Sequence, residues 1–203
     1  MSDMFDYLEW RGDLTFQQVP LNMVDNLLFS CMAYVVLQDI VGGLHNGDTK
    51  TIAEAAMEFA ALSEEAKNLR DKNDERIFMA MAETARFGNL HLSYHVHQID
   101  LNTEKQFAAI TVSLDDGSHF VAYRGTDYSV VGWKEDFNMT FVSGVPAQLE
   151  AVRYLNDVAG TEYLYVPSSF FLTSIASSKS FASSPSIVQI KCSLKSNLES
   201  MLK

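Results

Sequence analysis

The last forty residues restrict the folds that this chain can adopt, because they contain no glycine, the residue that tight turns need most. No glycine follows Gly160, and no histidine follows His119, in the 203-residue sequence. Serine is concentrated there instead, with 12 of the 20 serines in residues 164–203. Glycine enters left-handed or crowded turns at the least cost, so this segment is poorly suited to sharp strand-to-helix connections. Neither helical nor strand periodicity is clear in it.

The balance of charge changes sign at the same point. Residues 1–163 carry 25 acidic and 11 basic residues, a net charge of −14, whereas residues 164–203 carry four lysines and one glutamate, a net charge of +3. A natural flexible tail is one interpretation. The other, which we favour, is a truncated or frame-altered end. We therefore divide the chain into an α/β portion, 1–166, and an atypical, disordered or frame-altered tail, 167–203.

Composition excludes several functional classes. A chain with 47% hydrophobic residues can bury a core, and a net charge of −11 argues against nucleic acid and anionic membranes as partners. The N-terminus is acidic and aromatic, unlike a signal peptide, and the longest apolar run, Leu27–Leu37, is too short to span a bilayer. We expect a cytoplasmic protein that is not transmembrane and has no cofactor.

Apolar residues at helical spacing predict three helices before residue 90. Asn22 or Asp25 can cap the first, and Thr51 opens the second, with Glu54 at the spacing of a capping box. Gly88 is expected to end the third in a left-handed conformation. The predicted helices cover about 25–37, 51–62 and 74–87.

After residue 90 the hydrophobic period changes to two, which predicts a meander of strands. The segment Asp115–Gly117 has the residues of a hairpin turn between two of these strands. A helix over 146–159 begins with proline, and an apolar run at 163–166 then predicts a buried parallel strand. This order predicts an α/β fold, with a meander leading into a parallel sheet.

Three of the five histidines, His91, His95 and His97, are predicted to share one face of the first strand. A metal site there is conceivable. We favour a solvated edge, because no carboxylate or cysteine shares their spacing, and we predict no metal site. His45, in a glycine-rich loop, and His119, beside the hairpin, are expected to be exposed.

The segment with the residue types for chemistry is Tyr123–Asp127. A strand ends there and continues through glycine into a hydroxyl-bearing loop, an arrangement that can present backbone N–H groups to a developing oxyanion. A polar turn after a strand is the alternative, and the residue types alone favour it.

Four segments, 5–14, 24–27, 120–127 and 131–139, resemble a bacterial family of lipase-like proteins of unassigned function, related to the class 3 lipases of the α/β-hydrolase superfamily. The resemblance runs from near Met1 to about Val166. It implies an incomplete α/β-hydrolase-like fold and an ester or lipid substrate in the parent family. By resemblance, the oxyanion loop contains Arg124, Gly125, Thr126 and Asp127, with Thr126 as the oxyanion residue.

The same resemblance gives roles to residues after this loop. Gly132 and Trp133 would open the neighbouring helix or a lid hinge, although for Trp133 we favour packing over substrate contact. Asp136 would brace the oxyanion residue through a hydrogen bond. Thus Trp133 and Asp136 are predicted to support the loop.

The chain departs from the family after residue 166. Such proteins next have a glycine-flanked serine, whereas this sequence continues with Pro167-Ser168-Ser169 and supplies no later histidine as a base. Ser113, Ser129 and Ser143 also lack a predicted base, so we assign no catalytic residue.

Two functions from different classes remain. The first is a C-terminally altered, inactive relative of acyl-ester hydrolases. The alternative is a non-catalytic binding or interaction module whose open sheet edge is capped by the serine-rich tail or by another chain, with self-association as one outcome.

Overall fold

The structure, a computed structural model, describes residues 3–67, 69, 71–100, 105–124, 146–159 and 188–192. Within these residues the helices are α1 Met4–Arg11, α2 Met23–Met32, α3 Ile52–Ala60, α4 Glu64–Lys67, α5 Lys72–Ala82 and α6 Pro146–Ala159. The strands are β1 Lys50–Thr51, β2 His91–Asp100, β3 Lys105–Ser113, β4 His119–Tyr123 and β5 Val188–Cys192. The predicted α/β class is confirmed at this level. None of the helices described is long and apolar enough to cross a membrane.

Capping boxes fix where the early helices begin. Asn22 accepts the N–H of Val24 at 2.8 Å, and Asp25 accepts the N–H of Asn22 at 2.9 Å, so Asn22 caps α2 and Asp25 completes the box. The predicted box of Thr51 and Glu54 is confirmed at the start of α3. Side chains that satisfy the first N–H groups of a helix therefore identify these starts from sequence.

The helix ends differ from the predictions. α2 ends at Met32, and α5 ends at Ala82. The expected left-handed stop at Gly88 is wrong, because only Gly47 and Gly117 have positive φ among the described glycines. A Cβ at Gly88 would lie 2.5 Å from the carbonyl oxygen of Ala82, so close packing is what requires glycine there.

The strands form one sheet in the order β1-β2-β3-β4-β5. Neighbours from β1 to β4 are antiparallel, and the predicted turn between β3 and β4 is confirmed, with Gly117 at φ 85°. β5 runs parallel to β4, with Ile190 opposite Val121. Four antiparallel strands and a single parallel neighbour therefore make up the sheet that the described residues form.

The predicted parallel sheet is not shown, because only one pair of neighbouring strands among the described residues is parallel. The strand predicted at 163–166 lies outside the described residues. The parallel neighbour of β4 comes instead from 188–192, where no strand was predicted although Val188, Ile190 and Cys192 alternate with polar residues. The antiparallel meander of β2, β3 and β4 has the order expected from the period-two residues.

The sheet buries both faces. Phe120 and Ala122 of β4 belong to the larger core with helices α2, α3 and α5, and the rings of Phe29 and Phe120 are 4.9 Å apart. Val121 and Tyr123, on the opposite face, belong to a smaller core beneath α6. Alternate side chains of one strand thus contact two helical layers, which is why β4 is apolar from Phe120 to Tyr123.

α6 is tied to its face of the sheet by buried tyrosines. The hydroxyl of Tyr154 donates to the carbonyl of Tyr94 at 2.9 Å and lies 2.8 Å from the hydroxyl oxygen of Thr111. The hydroxyl of Tyr123 donates to the carbonyl of Ala151 at 3.0 Å. Burial raises the pKa of Tyr154, so its phenol remains neutral and able to donate.

Arg86 and Asp25 form a buried ion pair beneath the N-terminal helices. Two bonds join them, Nη2 to Oδ2 at 2.6 Å and Nε to Oδ1 at 2.9 Å, and both side chains are at most 1% exposed. Arg86 also donates to the carbonyl of Leu14 at 2.6 Å and lies over the ring of Phe16. Burial opposes the charge of Arg86, but its hydrogen bonds and attraction to Asp25 outweigh burial and raise its pKa.

We expect Arg86→Met to lower the free energy of unfolding by about 3–5 kcal/mol, because it leaves the Asp25 carboxylate buried without its cation. Urea denaturation followed by circular dichroism measures the change. Arg153→Met is the matched control, since Arg153 pairs with Glu150 at 2.9 Å but is 68% exposed. The control should cost less than about 1 kcal/mol, and equal losses in the two variants would contradict this account.

Candidate functional site

β4 carries Arg124 to the edge of the core. The N–H of Arg124 donates to the carbonyl of Ala108 at 2.9 Å, so pairing with β3 continues one residue past Tyr123. Arg124 is half-buried. The other residues predicted for this site lie outside the described residues: Gly125, Thr126, Asp127, Trp133 and Asp136.

The structure brings histidines of β2 within electrostatic reach of Arg124. Burial, followed by the charges of His97 and Arg124, lowers the pKa of His95 from 6.5 to about 4. His95 is consequently a neutral imidazole at neutral pH. The sequence analysis did not connect these residues, because they are nearly thirty positions apart and β3 lies between their strands.

A bulge in β2 explains why His95 is enclosed. The register with β3 shifts between Ser93 and Val96, and Tyr94 has a left-handed φ of 54°. His91 is exposed as predicted, but His95 and His97 are both half-buried, so the predicted solvated face is wrong for these two. No glycine or asparagine marks the bulge in the sequence, which is why simple alternation fails there.

His95 holds the loop between α2 and β1 through two hydrogen bonds. Its backbone N–H donates to the carbonyl of Gly42 at 2.9 Å, and its Nε2 accepts the N–H of Leu37 at 3.4 Å. An Nε2 that accepts places the imidazole proton on Nδ1. Protonation of Nε2 would abolish this acceptor, so the contact and the neutral state of the ring depend on each other.

The loop over 37–48 is itself closely packed. Leu37, Ile40 and Val41 are buried, and Leu44 packs against the core beneath α6. A Cβ on Gly42 would lie 2.4 Å from the carbonyl oxygen of Asp48, so this glycine is required by space. His95 therefore fixes a segment that bridges the two cores.

Ser113 has an imidazole partner that the sequence analysis missed. Its hydroxyl lies 3.1 Å from Nδ1 of His119 across the β3–β4 ladder, so the prediction that Ser113 lacks a base nearby is wrong. His119 is exposed, as expected, and begins β4, at the opposite end from Arg124. The N–H of Leu114 already donates to Ser118 at 2.8 Å, so the residue after Ser113 offers no oxyanion donor.

The remaining titratable groups form no metal centre in the part of the chain that the structure describes. No group of three histidine, cysteine, aspartate or glutamate side chains there could hold a metal ion. His45 is exposed, as predicted, and so are Asp115 and Asp116 in the hairpin turn.

A family model described as Mbeg1-like matches residues 81–166, less than half of the chain. The matched segment contains β2, β3, β4 and α6, together with all the residues predicted for the oxyanion loop and its support. No curated protein and no solved structure matches the chain.

Gly42 and Gly43, which are adjacent in the loop over 37–48, allow a matched test of how closely this loop is packed. We expect Gly42→Ala to lower the free energy of unfolding by about 1–3 kcal/mol, because the added methyl group overlaps backbone atoms of Asp48. Gly43→Ala should be neutral or stabilising by up to about 1 kcal/mol, since its Cβ meets its nearest neighbour at 3.7 Å. Thermal denaturation of both variants measures the difference, and a tolerated Gly42→Ala would show that the loop is loosely held.

Proposed function

We propose that this chain is a C-terminally altered, catalytically inactive relative of acyl-ester hydrolases, with an incomplete α/β-hydrolase-like fold. Its parent family would act on esters or lipids. The end of β4 at Arg124 would be the start of its oxyanion loop, with Thr126 as the oxyanion residue.

The state of His95 carries the proposal of inactivity. A general base works best when its pKa lies near the working pH, and His95, the histidine on which the charge of Arg124 acts, has a pKa of about 4. Its Nε2 also accepts a backbone hydrogen bond from Leu37. Residues 120–203 contain no histidine that could act as a base in its place.

Three further observations support the hydrolase-like frame. Segments at 5–14 and 120–139 resemble the lipase-like family, and the Mbeg1-like match covers the same strand end. β4 is followed by helix α6 and then by β5, parallel to β4, which is the order of a strand–helix–strand unit. The smaller core beneath α6 holds this helix against β3 and β4.

We expect purified protein to hydrolyse p-nitrophenyl acetate no faster than Ser113→Ala and to remain unlabelled by a serine-directed fluorophosphonate. Ser113 is the informative control because it has an imidazole within 3.1 Å. Labelling at a serine, located by mass spectrometry, would refute inactivity. Labelling that Ser113→Ala abolishes would identify the nucleophile as well.

A second candidate function is a non-catalytic interaction module. Exposed apolar side chains on the helices and the pairing of β5 with β4 favour it. Trp10, Met23 and Met57 are each more than 70% exposed, and large exposed apolar side chains often mark contact surfaces. The parallel edge of β4 is covered by a strand from the serine-rich tail. Such a module would keep this edge closed and use its helical surface for a partner.

Ile190→Pro tests whether the tail strand protects β4. Proline removes a backbone donor and fixes φ, which should weaken the pairing of β5 with β4, so the variant should expose the edge of β4 and self-associate. Ile190→Val keeps the N–H group and should behave as wild type. Light scattering that finds a monomer in all three proteins would count against the capping role of β5.

A further inference from the structure

His95 connects two segments that both contain a strained backbone. Asp39, in the loop, has φ 66°, and Tyr94, immediately before His95, has φ 54°. Left-handed backbone is strained at residues other than glycine and persists only where surrounding contacts hold it. The bonds from His95 to Gly42 and Leu37 are contacts of this kind, and they join the strained loop to the strained bulge.

Two charges act on the ring of His95, and both disfavour its protonated form. On the same strand His97, and at the end of β4 Arg124, disfavour the protonated form of His95. The loop that packs on the ring carries the titratable groups Asp39, His45 and Asp48, and Tyr94 precedes the histidine. Neither His97 nor Arg124 would balance the positive charge that protonation adds to the ring of His95.

We infer that His95 is an acid-sensitive clamp: its protonation releases the loop over 37–48 from the bulge of β2. A protonated Nε2 becomes a donor that faces the N–H of Leu37, so the hydrogen bond is replaced by repulsion. Only the backbone bond from His95 to Gly42 then still joins the loop to the bulge, so the two left-handed residues are held less firmly and can relax as the loop opens. Release of the loop would also separate Leu44 from the core beneath α6, and the loop would then no longer contact both cores.

The direction of the pH dependence follows from linkage. With the loop closed the pKa of His95 is about 4, and with the loop open the ring returns to its ordinary value near 6.5. The open form therefore binds more protons between these values, so the closed form is favoured at high pH and loses stability as the pH falls from 6.5 to 4. The ratio of open to closed loop should rise about 30-fold between pH 8 and pH 5.

Amide hydrogen exchange of the ¹⁵N-labelled protein measures this opening at two sites. The protection factors of the Leu37 and His95 amides, corrected for intrinsic exchange, should fall about 30-fold between pH 8 and pH 5. His95→Gln keeps a side-chain acceptor but cannot titrate, so its protection should not change with pH. His91→Gln, at an exposed position on the same strand, should follow the wild type.

Two results would overturn the clamp. One is constant protection of both amides in the folded wild type over this pH range. The other is an equal fall in His95→Gln, which would assign the opening to another group, such as Asp39. Global acid unfolding with the same midpoint in wild type and His95→Gln counts as the second result.

The wild type alone supplies a second measurement, should His95→Gln fail to fold. The ring resonances of His95 and the amide shift of Leu37 should titrate with one shared midpoint, below the ordinary value of a free imidazole. Separate midpoints for the ring and for Leu37 would refute the coupling between them.

Discussion

The buried pair of Arg86 and Asp25 is the interaction on which the N-terminal half depends. Asp25 serves two purposes, because it completes the capping box of α2 and neutralises Arg86. Arg86 in turn donates to backbone carbonyls between Leu14 and Pro20, which fixes the connection from α1 to α2. A buried pair of this kind adds little net stability compared with an apolar core, but it admits only one arrangement of the segments that it joins. The position of α2, and the larger core packed beneath it, follow from that arrangement.

The sequence predicted correctly those elements whose structure depends on residues close together in the chain. Thr51 with Glu54, the turn ending at Gly117 and proline at 146 are all short-range signals, and each element that they predict is present. Failures came where distant contacts decide. α5 ends at Ala82, before the buried residues Arg86 and Phe87, although the apolar spacing continues beyond it. β5 has the alternation of a strand at Val188, Ile190 and Cys192, but it is only five residues long, and its pairing with β4 depends on a contact between distant segments.

The candidate site was predictable only in its location. Residue types identified the end of β4, and the structure confirms that a strand ends there, with Arg124 next. The enclosure of His95 was not predictable, since it results from a bulge at Tyr94 and from a loop more than fifty residues earlier. From spacing alone, His91, His95 and His97 were predicted to share one exposed face. In the structure the surroundings of His95 lower its pKa to about 4, so His95 is a weaker base than a free imidazole.

The position of β5 has a consequence for synthesis on the ribosome. β2, β3 and β4 are joined by short connections and can pair as soon as they emerge, but the neighbour of Tyr123 is Cys192, 69 residues further along the chain. At roughly 5–20 residues per second, translation needs on the order of 3–14 s to supply it. During that interval one side of β4 has no intramolecular strand to meet. An open strand edge can pair with another chain, so the delay before β5 emerges is the period in which a nascent chain is most exposed to pairing with a second copy.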